Sequence, residues 1–169
     1  MKWKRNDLVI DEPIIDYLKK IFDEELAKGY IFKVALGTDS QKSGGKFSYK
    51  FATVILITTF EDLGGVIVGR GGMIVSSTYY NTFKRGNKES VNERMIYEVG
   101  KSIEAALVIS DFLDEYGVKI EIHADINPDP KWESNKALQA AVGYILGMGY
   151  SFKVKPDAIA SSNVADRLC

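Results

Sequence analysis

The chain is predicted to fold as an α/β protein on a mixed sheet. After one amphipathic helix come three strand-like segments separated by glycine-rich turns, and from there helical and strand periods alternate to the end. With 169 residues, 46% of them hydrophobic and 27% charged, the composition suits one domain over 1–169 and excludes disorder or a coiled coil. The balance of 22 Lys+Arg against 23 Asp+Glu leaves no broad basic field, so any site for a polyanion must be local.

The elements follow in order. Ile14, Ile15, Leu18, Ile21, Phe22 and Leu26 repeat at helical spacing between Pro13, suited to a first turn, and Gly29, suited to a stop. This helix makes residues 1–29 an N-terminal helical extension. Ile31 to Thr38 is β-branched and apolar, and Ser43-Gly44-Gly45 turns the chain into a second strand, Lys46 to Thr59. Val66–Gly69 and Met73–Val75 form a third, with a bulge or a close backbone approach expected at Gly69, Gly71 and Gly72. Ser77 to Ser90 reads as a loop. Ser90 or Asn92 can cap the longest helix, whose face Met95, Val99, Ile103, Ala106, Ile109, Leu113 runs to the stop at Tyr116-Gly117. Val118 to Ile126 alternates as a fourth strand, with Glu121, His123 and Asp125 on one side. A helix over Glu133–Met148, a fifth strand over Tyr150–Lys155 and a last helix opening at Pro156-Asp157 complete the chain. The long helix must carry the chain across so that the fourth strand lies parallel to one of the first three. The expectation is a five-stranded sheet, three antiparallel strands and then parallel additions, with helices on both faces.

Ligands collect beyond the carboxyl ends of parallel strands. Two acids stand there: Asp39 in Gly37-Thr38-Asp39-Ser40-Gln41, and Asp125 in His123-Ala124-Asp125-Ile126-Asn127. On neighbouring parallel strands the two carboxylates lie side by side, where mutual repulsion calls for a divalent cation or a shared proton. Hard oxygen donors without a histidine or cysteine cluster point to Mg2+ or Mn2+. Glu98 on the long helix and Asp166 on the last one can reach the pair, although an isolated acid on a helix is most often a solvated charge.

These residues also carry a resemblance. Gly37–Gln41, Glu98-Val99-Gly100-Lys101-Ser102, His123–Asn127, Lys155-Pro156-Asp157 and Ser161-Ser162-Asn163-Val164-Ala165-Asp166 together resemble the bacterial YkuK-type ribonuclease H-like family. The resemblance implies a ribonuclease H-like fold and a two-metal carboxylate site on Asp39, Glu98, Asp125 and Asp166, hydrolysing phosphodiester bonds, with nucleic acid as partner. Glu93, nearer the helix start, is the alternative helix ligand. Ser40, Gln41, His123 and Lys155 are auxiliary candidates: His123 to relay a proton or simply pack in the sheet, Lys155 to hold phosphate. Tyr79, Tyr80 and Phe83 interleave with Lys84, Arg85 and Lys88, a pattern that can stack bases, cover the sheet or form a subunit contact, which leaves a homo-oligomer open.

Other chemistries fail on inspection. Pro130 stands where a calcium-binding loop needs Gly, the glycine runs lack phosphate-loop spacing, and no Gly-x-Ser-x-Gly elbow supports a serine nucleophile. The only cysteine is Cys169, no apolar run approaches membrane-spanning length, and the basic start leads into Asp11-Glu12-Pro13 instead of a signal core, so a cytoplasmic protein without a membrane partner is expected. The competing expectation is a non-catalytic module that keeps the fold and docks nucleic acid or protein.

Overall fold

The computed structural model describes residues 1–45, 47–83, 88–131 and 135–169, with side chains except at 88–90, 136 and 137. Its elements are β1 (Lys4–Arg5), β2 (Leu8–Val9), α1 (Ile14–Ala27), β3 (Ile31–Lys42), β4 (Ser48–Asp62), β5 (Ile67–Thr82), α2 (Lys88–Glu115), β6 (Ile120–Ala124), α3 (Asn135–Gly147) and β7 (Ser151–Lys153). A π-helical turn, Ala160–Ala165, and a 3-10 turn, Asp166–Leu168, follow. The strands form one mixed sheet in the order β2-β1-β5-β4-β3-β6-β7. β3, β4 and β5 are the expected antiparallel meander, and β6 and β7 join in parallel.

The sheet has seven strands, not five. The additional pair is the β1–β2 hairpin, which docks on β5 through Lys4 and Ser76. Its turn residues Asn6 and Asp7 have φ of 49° and 65°, the left-handed conformation that two-residue hairpin turns demand and that Asn and Asp tolerate. Two-residue strands are too short to show a period, so only this turn betrays them. β5 also runs on to Thr82 where a loop was expected after Ser76. Its last third is polar because Ser77 and Tyr79 face hydroxyl groups rather than the apolar core. Against β4, β5 shifts register between Thr59 and Phe60, opposite Gly71 and Gly69, so the glycines do mark a bulge. Asn92 lies inside α2 and does not cap it.

Alternation along the strands sends side chains to two different covers. On one face Val34, Leu36, Ile55, Ile57, Val75, Ile120 and Ile122 pack with Leu18 and Phe22 of α1, the predicted stripe of α2 from Met95 to Leu113, and Ala141 and Ile145 of α3. Phe22 stacks on Phe32 at 4.2 Å and meets Phe112 edge-on. The opposite face is covered by the C-terminal turns: Ala35, Ala52 and Val54 pack with Ala160 and Ala165. The expected last helix is instead a short π-helical turn followed by a 3-10 turn. Small residues form its floor because the backbone comes very close. A Cβ placed on Gly37 would lie 2.4 Å from the Ser161 amide nitrogen and 2.7 Å from the Ala160 carbonyl carbon.

That contact makes a matched test. Gly37→Ala forces backbone apart and should lower stability by about 1–3 kcal/mol or more in chemical denaturation. Gly100→Ala, in α2, meets nothing within 4 Å and should be neutral or stabilising by about 1 kcal/mol. Equal effects of the two substitutions would contradict the close approach.

Candidate functional site

The parallel pairing of β3 with β6 ends at Thr38 opposite Ala124. The next residue on each strand is an acid, so Asp39 and Asp125 stand together where the ladder stops. β3 continues to Lys42 past the end of β6, so the two acids stand at the carboxyl-end edge of two interior strands, with Asp39 buried. Alternation then divides the site between the two faces. Thr38 and Ser40 face α2, whereas Gln41, like Gly37, faces the C-terminal turns.

On the α2 side, the Ser40 hydroxyl donates to Glu98 Oε1 at 2.6 Å. Arg94, one helical turn before Glu98, donates from one nitrogen to the Ser40 carbonyl at 3.0 Å, Ser40 Oγ at 2.7 Å and Glu98 Oε1 at 3.2 Å. Its guanidinium lies over the Tyr49 ring, 5.2 Å from the centroid. A ladder of hydroxyls holds α2 in register with the sheet: Ser102 donates to the Glu98 carbonyl, which obliges Thr38 to donate to Ser102, Thr53 to Thr38, and Tyr79 to Thr53. Glu98, only 5% exposed, is thereby fixed against β3, while Glu93 is exposed.

On the other side, Gln41 Nε2 donates to the Asp166 carboxylate at 2.8 Å and to its carbonyl at 3.2 Å. Ser162 donates to Asp125 Oδ1 at 2.6 Å, and the Lys155 ammonium reaches the same oxygen at 2.9 Å. The Cys169 thiol donates to the Asp39 carbonyl at 3.1 Å, and Lys50 reaches the Leu168 carbonyl at 2.6 Å, so the chain end is tied to the strand that carries the acid. His123 accepts from the Ala160 amide at Nδ1, 2.9 Å, which fixes the proton on Nε2, where it donates to Glu121 at 2.8 Å. Nδ1 thus holds the C-terminal turn while Nε2 is taken by Glu121 on the same strand, and burial lowers the His123 pKa, keeping the ring neutral.

The electrostatics follow from this placement. Burial raises the Asp39 pKa to about 7, with the charges of Asp125 and Asp166 adding to the effect against a bond from the Ser40 amide and the charge of Arg94. Burial likewise raises Glu98 to about 8, with Arg94 opposing and the charges of Asp39 and Asp125 adding. The four acids thus sense one another around the sheet edge. Arg94 neutralises Glu98 and Lys155 neutralises Asp125, while among the described residues no ion pair reaches Asp39. As the side chains stand, no three Asp, Glu, His or Cys among the described residues are grouped to hold an ion. The donor chemistry nonetheless fits a hard divalent cation: carboxylate oxygens only, one of them buried without a counter-charge.

Arg94 and Ser162 escaped the reading of the sequence. The i,i+4 spacing of Arg94 to Glu98 was a signal for the first, and the position of Ser162 within the C-terminal motif a weaker one for the second. Lys84 and Arg85 lie outside the described residues, as does the side chain of Lys88. Tyr79 and Phe83 pack in a ring cluster with Phe51 and Tyr97, so they cover the sheet, and Tyr80 is exposed. No helix among the described residues is long and apolar enough to cross a membrane.

Comparison with known families matches residues 14–169 to the family described as Ribonuclease H-like. No curated protein and no solved structure matches the chain.

The raised acid pKa values predict a pH dependence of stability in divalent-free buffer. Unfolded carboxylates ionise near pH 4, whereas folded Asp39 and Glu98 keep their protons to about 7 and about 8. Between those limits the folded state binds more protons than the unfolded one, so these two groups make stability fall as pH rises from about 4 to about 8. Asp39→Asn should flatten that slope and raise the denaturation midpoint at pH 8. Identical pH profiles for the two proteins would contradict it.

Proposed function

The chain belongs to the ribonuclease H-like family, and from that premise we propose that it is a divalent-metal-dependent nuclease whose site is the acidic edge where β3 and β6 part. The observation that carries the reading is the register: Asp39 and Asp125 are the first residues past the last parallel pair, with Glu98 on one side of the edge and Asp166 on the other. No arrangement of the apolar core requires four acids there. Their mutual repulsion makes the edge unfavourable in itself, a cost that a binding function explains and a purely structural role does not.

Asp39, Glu98, Asp125 and Asp166 would hold Mg2+ or Mn2+. The chemistry such ions supply when bound is activation of water and neutralisation of the charge developing on a phosphodiester under in-line attack. The protein's own contribution is placement. Ser40 and Arg94 orient the Glu98 carboxylate, Gln41 orients Asp166, and Ser162 orients Asp125, so each acid is held by a neighbour that leaves carboxylate oxygen to spare. His123 acts through Ala160, holding the turn that presents Ser162 and Asp166.

One observation favours the second reading, a non-catalytic module that docks nucleic acid or protein. Two of the four acids already have cationic partners, and no three acids converge as they stand. One set of measurements separates the two. Cleavage of single- and double-stranded RNA, DNA, hybrid and branched substrates with Mg2+ or Mn2+ should be seen, and should be lost in Asp39→Asn and in Asp125→Asn while both variants keep cooperative unfolding. Binding of the same substrates with no turnover under any metal, and thermal stabilisation by Mn2+ alone, would decide for the module.

A further inference from the structure

We infer that Lys155 is the resident counter-ion of the acidic edge: a positioning residue whose ammonium holds Asp125 until a divalent cation displaces it, and which thereby sets the divalent affinity of the site. This rests on the reading above that the edge holds Mg2+ or Mn2+.

The two cations at the edge are built differently. Arg94 bonds three oxygens, lies over Tyr49 and is largely buried, with a side chain 24% exposed, so it is part of the frame. Among the described residues Lys155 makes one ion pair, to Asp125 Oδ1, through a side chain 45% exposed on a flexible stem. Its backbone is nevertheless anchored, because the Lys155 amide donates to the Ile126 carbonyl at 3.1 Å, one residue past Asp125. The main chain therefore keeps this ammonium beside this carboxylate while the head group is free to leave. Asp125 Oδ1 takes both the ammonium and the Ser162 hydroxyl, so that oxygen gains coordinating capacity only when one of them withdraws. The hydroxyl has no charge to be repelled by an entering cation, and the ammonium has one. Like charges repel across a shared carboxylate even when they take different oxygens, so binding of a divalent ion and the hold of Lys155 on Asp125 oppose each other. The same pairing accounts for the absence of any three grouped acids among the described residues: the charge that would draw them together is already partly supplied.

A neighbouring lysine provides a control of equal charge. Lys153 is similarly exposed, but it pairs with Glu121 at 3.1 Å instead of with an edge acid. The experiment is calorimetric titration of Mn2+ into metal-free protein at constant ionic strength, with electron paramagnetic resonance of free Mn2+ counting the ions bound, and no activity measured. Lys155→Gln should tighten Mn2+ binding about three- to tenfold. Lys155→Arg, which restores a cation, should return it towards the unaltered value, and Lys153→Gln should change it less than about twofold. An equal gain in Lys153→Gln would reduce the effect to net charge and overturn the role of Lys155. Unchanged or weaker binding in Lys155→Gln, with binding weakened by Asp39→Asn, would also overturn it while the metal site stands. If neither the unaltered chain nor Lys155→Gln binds Mn2+, both the counter-ion and the metal reading fall.

Discussion

Parallel pairing between β3 and β6 stops at Thr38 and Ala124, and the acidic edge depends on where it stops. Strands of unequal length leave the longer one with an unpaired flank, and here that flank begins at Asp39. A β6 one residue longer would take Asp39 and Asp125 into the ladder as its next pair. One residue of slip would turn Asp39 to the α2 face, towards Ser102, send Thr38 to the opposite face, and separate Asp39 from Asp166. The register is not held by the ladder alone. Ile120 and Ile122 must reach the α2 face to complete the main core, which fixes β6 to within two residues, and the direction of α2 sets the rest.

The two covers of the sheet are then locked to that edge by different physical means. On the α2 side it is a directional chain of hydroxyls from Tyr79 to the Glu98 carbonyl, in which each member has a single proton, so the loss of one leaves a neighbour unsatisfied in a buried setting. On the other side it is contact. Gly37, Ala35 and Ala52 let the C-terminal backbone sit directly on the strands, and His123 holds its first turn through Ala160. A π-helical turn suits this position, since its wider path carries Ser162 to Asp125 and Asp166 to Gln41 within a short segment. Acids from four separate stretches of chain are thus directed towards one edge by two surfaces that clamp the same strand, without three of them grouping among the described residues.

What the sequence disclosed and what it concealed have the same origin. The stripe of α2, the meander with its glycine bulge and the acids ending β3 and β6 were legible because each is a period or a period's end. The β1–β2 hairpin was not, since two residues cannot express a period, although Asn6-Asp7 marked its turn. The polar end of β5 looked like a loop because its inward residues answer hydroxyls and rings instead of aliphatic core. The last segment looked like an ordinary helix because Ala160, Ser161 and Ala165 are small, and smallness there reports a close backbone beneath, which no single segment can reveal. The partners of the acids were least legible of all. Arg94 announced only its spacing to Glu98, and Lys155 is recognisable as a counter-ion only once the fold has set it beside Asp125.

Those partners also explain how such an edge can exist in a folded protein. Four carboxylates within electrostatic reach would repel strongly if all were ionised and bare, yet each is relieved in its own way. Glu98 has Arg94 and a serine hydroxyl, Asp125 has Lys155 and another, Asp166 has the Gln41 amide, and Asp39 is held towards its protonated form by burial. These reliefs differ in how firmly they are built. Arg94 and the hydroxyls are tied into the frame, whereas the Lys155 ammonium and the Asp39 proton can both depart into water. A divalent cation would replace the two removable positive charges together, one of them covalently tethered and the other a proton, without disturbing the frame that orients the acids. Under the proposed function the edge folds without an ion and takes one by giving up its removable charges, and that combination rests on which of its cations are anchored.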